Sequence, residues 1–105
     1  MMQRAKDILE KIFEGREKNF NIRLWNGHLI EWANPAKFTL VFRNKAAFKK
    51  IVLRGDALTA GSAYIENDID IEGDIFEAIK LADYLAALKL SGRDKINILA
   101  RLITL

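Results

Sequence analysis

The chain contains no cysteine. That excludes a disulfide framework, a thiolate metal site and a cysteine nucleophile. Its single histidine, His28, leaves too little imidazole for a histidine metal site or a Ser-His-Asp triad. No apolar run approaches the roughly 18 residues that cross a bilayer. The opening "MMQRAKDILEKIFEGREK" is charged throughout and lacks the apolar core of a signal peptide. Low-complexity tracts and internal repeats are absent too. What remains reads as one domain of 105 residues, half of them apolar, long enough to bury a core without covalent staples. The expected location is the cytoplasm, with at most a peripheral association at the inner face of the membrane.

Charge is modest in sum and uneven in place. The net is +3. Residues 1–54 carry twelve Lys/Arg against five Asp/Glu, and residues 55–105 carry five against nine. A basic half suits an anionic partner, whereas mixed charge on a solvated surface is the plainer account. Nucleic acid is disfavoured as that partner, because no recognition-helix motif is present and the net charge is small.

Hydrophobic spacing predicts a first helix over 3–14, with Ile8, Leu9, Ile12 and Phe13 on one stripe and Gly15 as its stop. "FNIRLWNGHLIEW" predicts a hairpin turning at Asn26-Gly27. A two-residue loop would set Ile22 opposite Glu31. A three-residue loop puts Ile22, Leu24, Ile30 and Trp32 on one face, and that register is the expected one because one face must be buried. "NPAK" makes a turn around the only proline, Pro35. "KFTLVFR" is a third strand. Asn44 caps a helix over 45–53, with Ala47, Phe48, Ile51 and Val52 inward. Residues 56–67 suggest a short helix interrupted at Gly61, with small residues that admit another backbone. A long helix follows over 75–90, with Ile75, Ile79, Ala82, Ala86 and Leu90 on its core face and Leu81, Leu85 and Leu88 widening it. Ser91-Gly92 breaks it. A last helix over 93–105 carries Ile96, Leu99, Leu102 and Ile103. It ends on an apolar turn with no cap, so the chain reads as the N-terminal piece of a longer protein.

The stretch "NDIDIEGD" (67–74) invites a metal reading. A calcium loop begun at Asp68 places Asp70, Glu72 and Gly73 correctly, but its closing position is Ile79, where a bidentate glutamate is needed. Paired catalytic carboxylates need one acid in an apolar setting. Asp68, Asp70 and Glu72 alternate instead, so they project together from one wet face while Ile69 and Ile71 turn inward. The stretch therefore reads as a half-buried strand whose acids guard a possible edge. Gly73 allows a sharp turn, Asp74 starts the next helix, and Asp74 with Glu77 makes a capping box. Asn67 suits a left-handed turn.

So placed, "GSAYIENDIDIEGDIFEAIKLADYL" (61–85) resembles the N-terminal domain of cyclopropane-fatty-acyl-phospholipid synthases. "IRLWNGH" (22–28) and "FTLVFRNKAAFKKIVL" (38–53) fit the same domain. The resemblance extends to the sterol carrier protein type-two family, through Ala63-Tyr64, the strand Ile69 to Glu72, Gly73-Asp74 and the helix from Ile75. Two positions depart from the synthase pattern: Ser62 stands where an acid is usual, and Asn67 where glycine is usual. The resemblance implies an α+β fold, a small and mainly antiparallel sheet covered by helices. It implies a non-catalytic domain that binds or presents phospholipid. A methyltransferase domain using S-adenosylmethionine would then follow residue 105, and no cofactor would be held in this chain.

On that basis Phe48, Tyr64, Ile65, Phe76, Ile79 and Leu81 are expected to line an acyl-chain site, though helical spacing alone marks the stripe of the 75–90 helix as ordinary core. Arg43, Lys45, Lys49, Lys50 and Arg54 are expected to meet phospholipid headgroups, or else to be a solvated helix face. Trp25 and Trp32 are either core or membrane-interface anchors. The expected partners are a phospholipid or membrane surface, the chain's own catalytic domain, and a second copy. Two further readings stay open: an interaction or dimerisation module without lipid contact, and a freestanding lipid carrier.

Overall fold

The computed structural model describes residues 2–54, 57–87, 92–103 and 105. Five helices and four strands follow in chain order among them: α1 (Met2–Ile12), β1 (Phe20–Arg23), β2 (Leu29–Ile30), β3 (Phe38–Phe42), α2 (Lys45–Arg54), α3 (Ala57–Ile65), β4 (Ile69–Gly73), α4 (Ile75–Ala87) and α5 (Gly92–Ile103). The fold is α+β, as expected. Its contacts divide it into two compact units, residues 18–88 and the pairing of 1–17 with 89–105.

Within residues 18–88 the strands form one sheet in the order β2-β1-β3-β4. The outer pairings are antiparallel and the central one, β1 with β3, is parallel. The sheet is thus mixed, because the chain leaves β2 and returns beside β1 instead of making a second hairpin. Ile22 faces Ile30 across the hairpin, and the Leu24 amide donates to the His28 carbonyl at 2.8 Å. The loop is therefore Trp25-Asn26-Gly27, the three-residue form, closed by Gly27 at φ +87°. Ile22, Leu24 and Ile30 are all buried on one face, with Trp32 half-buried beyond them.

The return from β2 to β3 is held by the sheet itself. The Asn21 carboxamide oxygen accepts from the backbone amides of Trp32 at 2.8 Å and Ala33 at 2.9 Å. Asn21 is buried, so these bonds satisfy its acceptor and two amides that would otherwise lack partners. The Asn34-Pro35 bond in this return is cis. Lys37 closes the return by donating its amide to the Asn19 carbonyl at 2.7 Å.

Helix α2 packs on β3, and α4 packs on β3 and β4. Phe48 is wholly buried between Phe42, edge-on at 5.1 Å, and Trp25 at 5.3 Å. At the other end of the sheet Phe20 stacks on Phe38 at 5.2 Å, with the Trp32 ring edge-on at 5.5 Å. Both tryptophans are therefore tied to the core, and Lys18 stands 5.4 Å from the Trp32 ring. Asn44 caps α2 through the Ala47 amide at 2.7 Å, and Ala47, Phe48 and Ile51 are buried as the spacing requires.

Three expectations need correction here. Helix α3 runs unbroken through Gly61, and a Cβ there would meet nothing within 4 Å, so no backbone approaches it. Helix α4 buries Ala78 and Leu81, while Ile75 and Ile79 face outward. Its core face is thus turned from the one expected, because apolar residues surround this helix and spacing alone selects no side. The side chains of Ala82, Leu85 and Ala86, and residues 88–91 with the expected break before Gly92, lie outside the described residues. Third, only half of the capping box forms. Asp74 Oδ1 accepts from the Phe76 amide at 3.0 Å and the Glu77 amide at 3.4 Å. The Asp74 amide, however, donates to the Lys37 carbonyl at 2.9 Å, and Glu77 pairs with Lys37 at 3.8 Å and Lys80 at 3.2 Å.

In the other unit α1 and α5 pack on each other. Ala5, Ile8, Leu9, Ile12 and Phe13 of the first segment are buried, and Gly15 at φ +79° follows the helix. Asp7 pairs with Arg101 at 3.7 Å. Helix α5 buries Ile98 and Leu102, with Leu105 beyond its end. Of the stripe expected there, Ile96, Leu99 and Ile103 are exposed instead, since the apolar arc of this helix is wider than the side that packs on α1.

Candidate functional site

The acidic stretch resolves first. Asn67 has φ +63°, the left-handed conformation that glycine would also adopt. β4 lies at an edge of the sheet, as its guarding acids suggested. Each acid on its wet face has a cross-strand partner. Asp68 Oδ1 accepts from Asn44 Nδ2 at 3.1 Å, Asp70 pairs with Arg43 at 2.9 Å, and Glu72 pairs with Arg23 at 3.0 Å. The ion pairs are exposed and contribute little stability individually. They do neutralise Asp70 and Glu72 and align β4 with β3 and β1. Among the described residues no three His, Asp or Glu side chains cluster as metal ligands would.

The six residues expected to line an acyl-chain site separate into two sets. Phe48 and Leu81 are buried in the core. Tyr64 and Ile65 of α3, and Phe76 and Ile79 of α4, point outward, with Ile65 80% exposed and Phe76 74% exposed. A pocket lined by Ile8, Lys11, Asn97, Ile98 and Arg101 lies in the α1–α5 pair and includes none of the six. Its volume of about 70 Å³ is well below the roughly 300 Å³ at which small-molecule pockets begin.

What the fold brings together is an outward surface. α2 packs on α3 and α3 packs on α4, and each of the three presents large apolar side chains to solvent. Leu53 near the end of α2 is 61% exposed, and Leu58 at the start of α3 is 81% exposed. On α3 the exposed Leu58, Gly61, Ser62 and Ile65 recur at helical spacing, so the outer side of that helix has no charged residue. On α4 Phe76 and Ile79 stand three residues apart, beside the exposed Lys80 and Asp83. Isolated exposed apolar residues are ordinary, whereas several on adjoining helices make a candidate contact surface.

The five basic residues also divide. Arg43 lies on the wet face of the sheet, engaged with Asp70. Lys45 is in the first turn of α2. Lys49, Lys50 and Arg54 have no ion-pair partner among the described residues, and Lys50 and Arg54 are exposed on either side of Leu53. α2 has no acid in its ten residues. Leu53 and Leu58 are absent from the lipid-contact residues expected from sequence. The signal that could have found Leu58 is the composition of α3, nine residues without a single charge.

No helix among the described residues is long and apolar enough to cross a membrane. Residues 5–90 match the family described as Domain of unknown function (DUF7884). The chain belongs to that family. No curated protein matches it.

Proposed function

We propose that this domain docks on a phospholipid surface, in the cytoplasm at the inner face of the membrane, and presents lipid to a catalytic domain of the cyclopropane-fatty-acyl-phospholipid synthase kind. The chain itself performs no methyl transfer in this reading. S-adenosylmethionine and the reacting groups belong to the domain that would follow. The sterol-carrier-like shape and the synthase relationship rest on the residues 61–85 described above. The observation that carries the reading is the outward placement of Leu58, Ile65, Phe76 and Ile79 on two packed helices. It supports contact with a bilayer surface over enclosure of an acyl chain, since four of the six expected lining residues face solvent.

Moving a side chain such as Phe or Ile fully from water is worth about 1.5–3 kcal/mol. Removing two of the four contacts, in Phe76→Ser with Ile79→Ser, is therefore expected to weaken binding to phospholipid vesicles at least tenfold. The circular dichroism spectrum should not change, because neither side chain is in the core. The measurement is co-sedimentation of the full chain with vesicles. Failure of the wild-type chain to sediment, or equal binding by the variant, sinks the reading.

A second reading is favoured by one observation in the other unit. Ile96, Leu99 and Ile103 of α5 are exposed at helical spacing, which suits an interaction or dimerisation module. Sedimentation equilibrium separates the two: a dimer that Ile103→Ser dissociates, with no vesicle binding, favours this second reading.

A further inference from the structure

Helix α2 differs in its charge from the other surfaces of the sheet unit. The two arginines on the sheet's wet face, Arg23 and Arg43, are each matched by an acid of β4. Lys37 and Lys80 share Glu77 at the start of α4. α2 carries four cations and no acid, and three of them, Lys49, Lys50 and Arg54, have no ion-pair partner among the described residues. Some positive charge near the end of a helix is favoured by its dipole. That accounts for Arg54 but not for Lys49 and Lys50, which lie further back.

The second observation is what stands between them. Leu53 is 61% exposed, and on the helical spacing it shares the outer face of α2 with Lys50 and Arg54. Leu58, 81% exposed, begins the next helix, which packs on α2. Cations flanking apolar side chains fit a surface that is negative at its boundary and apolar beneath it. A nucleic-acid backbone would use the cations but gives Leu53 and Leu58 nothing to enter.

We infer that the outward sides of α2 and α3 form a headgroup contact that selects anionic phospholipid, with Lys49, Lys50 and Arg54 at the phosphate level and Leu53 and Leu58 entering the acyl boundary. This rests on the membrane-docking reading and adds a lipid class and an orientation to it. Arg43 has no part in the contact, because it is spent on Asp70. Lys and Arg near an anionic leaflet each strengthen binding severalfold, so three together are worth about a hundredfold.

The test uses the full chain, vesicles of phosphatidylglycerol mixed with phosphatidylcholine, and vesicles of phosphatidylcholine alone. Wild-type binding is expected to favour the anionic vesicles by about a hundredfold at low salt and to lose most of that preference as salt rises. The triple variant Lys49→Gln, Lys50→Gln, Arg54→Gln is expected to bind both vesicles alike. Replacing Lys49 and Lys50 by Arg should keep the preference, and an unchanged thermal midpoint checks folding. Equal wild-type binding to both vesicles overturns the anionic selection while leaving the docking reading standing. Binding to neither overturns both. Equally tight retention of a DNA duplex at the same salt, lost in the same triple variant, overturns the choice of lipid over nucleic acid.

Discussion

Replacing Gly73 by alanine should be among the most damaging single-methyl changes available to the sheet unit. Gly73 closes β4 opposite Phe38 with φ +111°, a conformation that L residues rarely adopt. Holding an alanine there costs about 1–3 kcal/mol in backbone strain. Space adds to this. A Cβ at Gly73 would lie 2.7 Å from the Lys37 carbonyl oxygen and 2.9 Å from the Phe38 Cα. Both neighbours are backbone at the start of β3, so neither can swing aside as a side chain would. Forcing them apart costs about 1–3 kcal/mol more. It also strains the bond from the Asp74 amide to the same Lys37 oxygen. A loss of about 2–6 kcal/mol is expected in urea denaturation followed by tryptophan fluorescence. Both tryptophans, Trp25 and Trp32, lie in residues 18–88, so the signal reports this unit. Gly61→Ala supplies the control of opposite sign. Its Cβ would meet nothing and the residue is inside α3, so alanine should stabilise by about 0.5–1 kcal/mol. A loss below about 1 kcal/mol for Gly73→Ala, or the same sign for both variants, would refute the reasoning.

Two other changes probe how the sheet is held. Asn21→Ala removes the acceptor for the Trp32 and Ala33 amides and should cost about 1–3 kcal/mol in the same assay, whereas Asn21→Asp, which keeps an acceptor, should cost clearly less. A double-mutant cycle on Arg23 and Glu72, partners at 3.0 Å with both side chains exposed, should return a coupling below about 1 kcal/mol that shrinks with added salt. A salt-independent coupling of several kcal/mol would mean the pair is far drier than it stands here.

Local chemistry was the legible part of this chain. The hairpin register followed from the demand that Ile22, Leu24 and Ile30 share one face. The caps at Asn44 and Asp74 and the left-handed turn at Asn67 followed from what those side chains can do for a backbone. The alternation in 68–72 identified a half-buried strand with a wet acidic face before any partner for its acids was visible. Long-range choices were not legible. Parallel pairing of β1 with β3 depends on where the chain goes after β2, and Asn21 directs that path with two hydrogen bonds no spacing rule anticipates. The outward faces failed for a different reason. Periodicity finds a core face by contrast with a polar one; α4 offers little contrast, and the apolar arc of α5 is wider than the side it buries. Ile75 and Ile79 therefore looked as eligible for burial as Ala78 and Leu81, and Ile96 as eligible as Ile98. Ile65, Phe76 and Ile79 were named as lipid contacts from sequence, but whether they line an interior or face outward with Leu58 is undecided until the sheet has taken its side.

Lys37 joins three parts of the sheet unit. Its amide holds the residue before β1, its carbonyl holds the first residue after β4, and its ammonium pairs with Glu77. Phe76 sits one residue before Glu77, with its own amide held by Asp74. An exposed aromatic ring is thereby mounted on backbone that is hydrogen-bonded in place. Ordering a loose residue costs about 1–2 kcal/mol of conformational entropy, and whatever surface receives Phe76 is spared that cost. Loosening the joint should therefore weaken the contact without removing any atom that touches the partner.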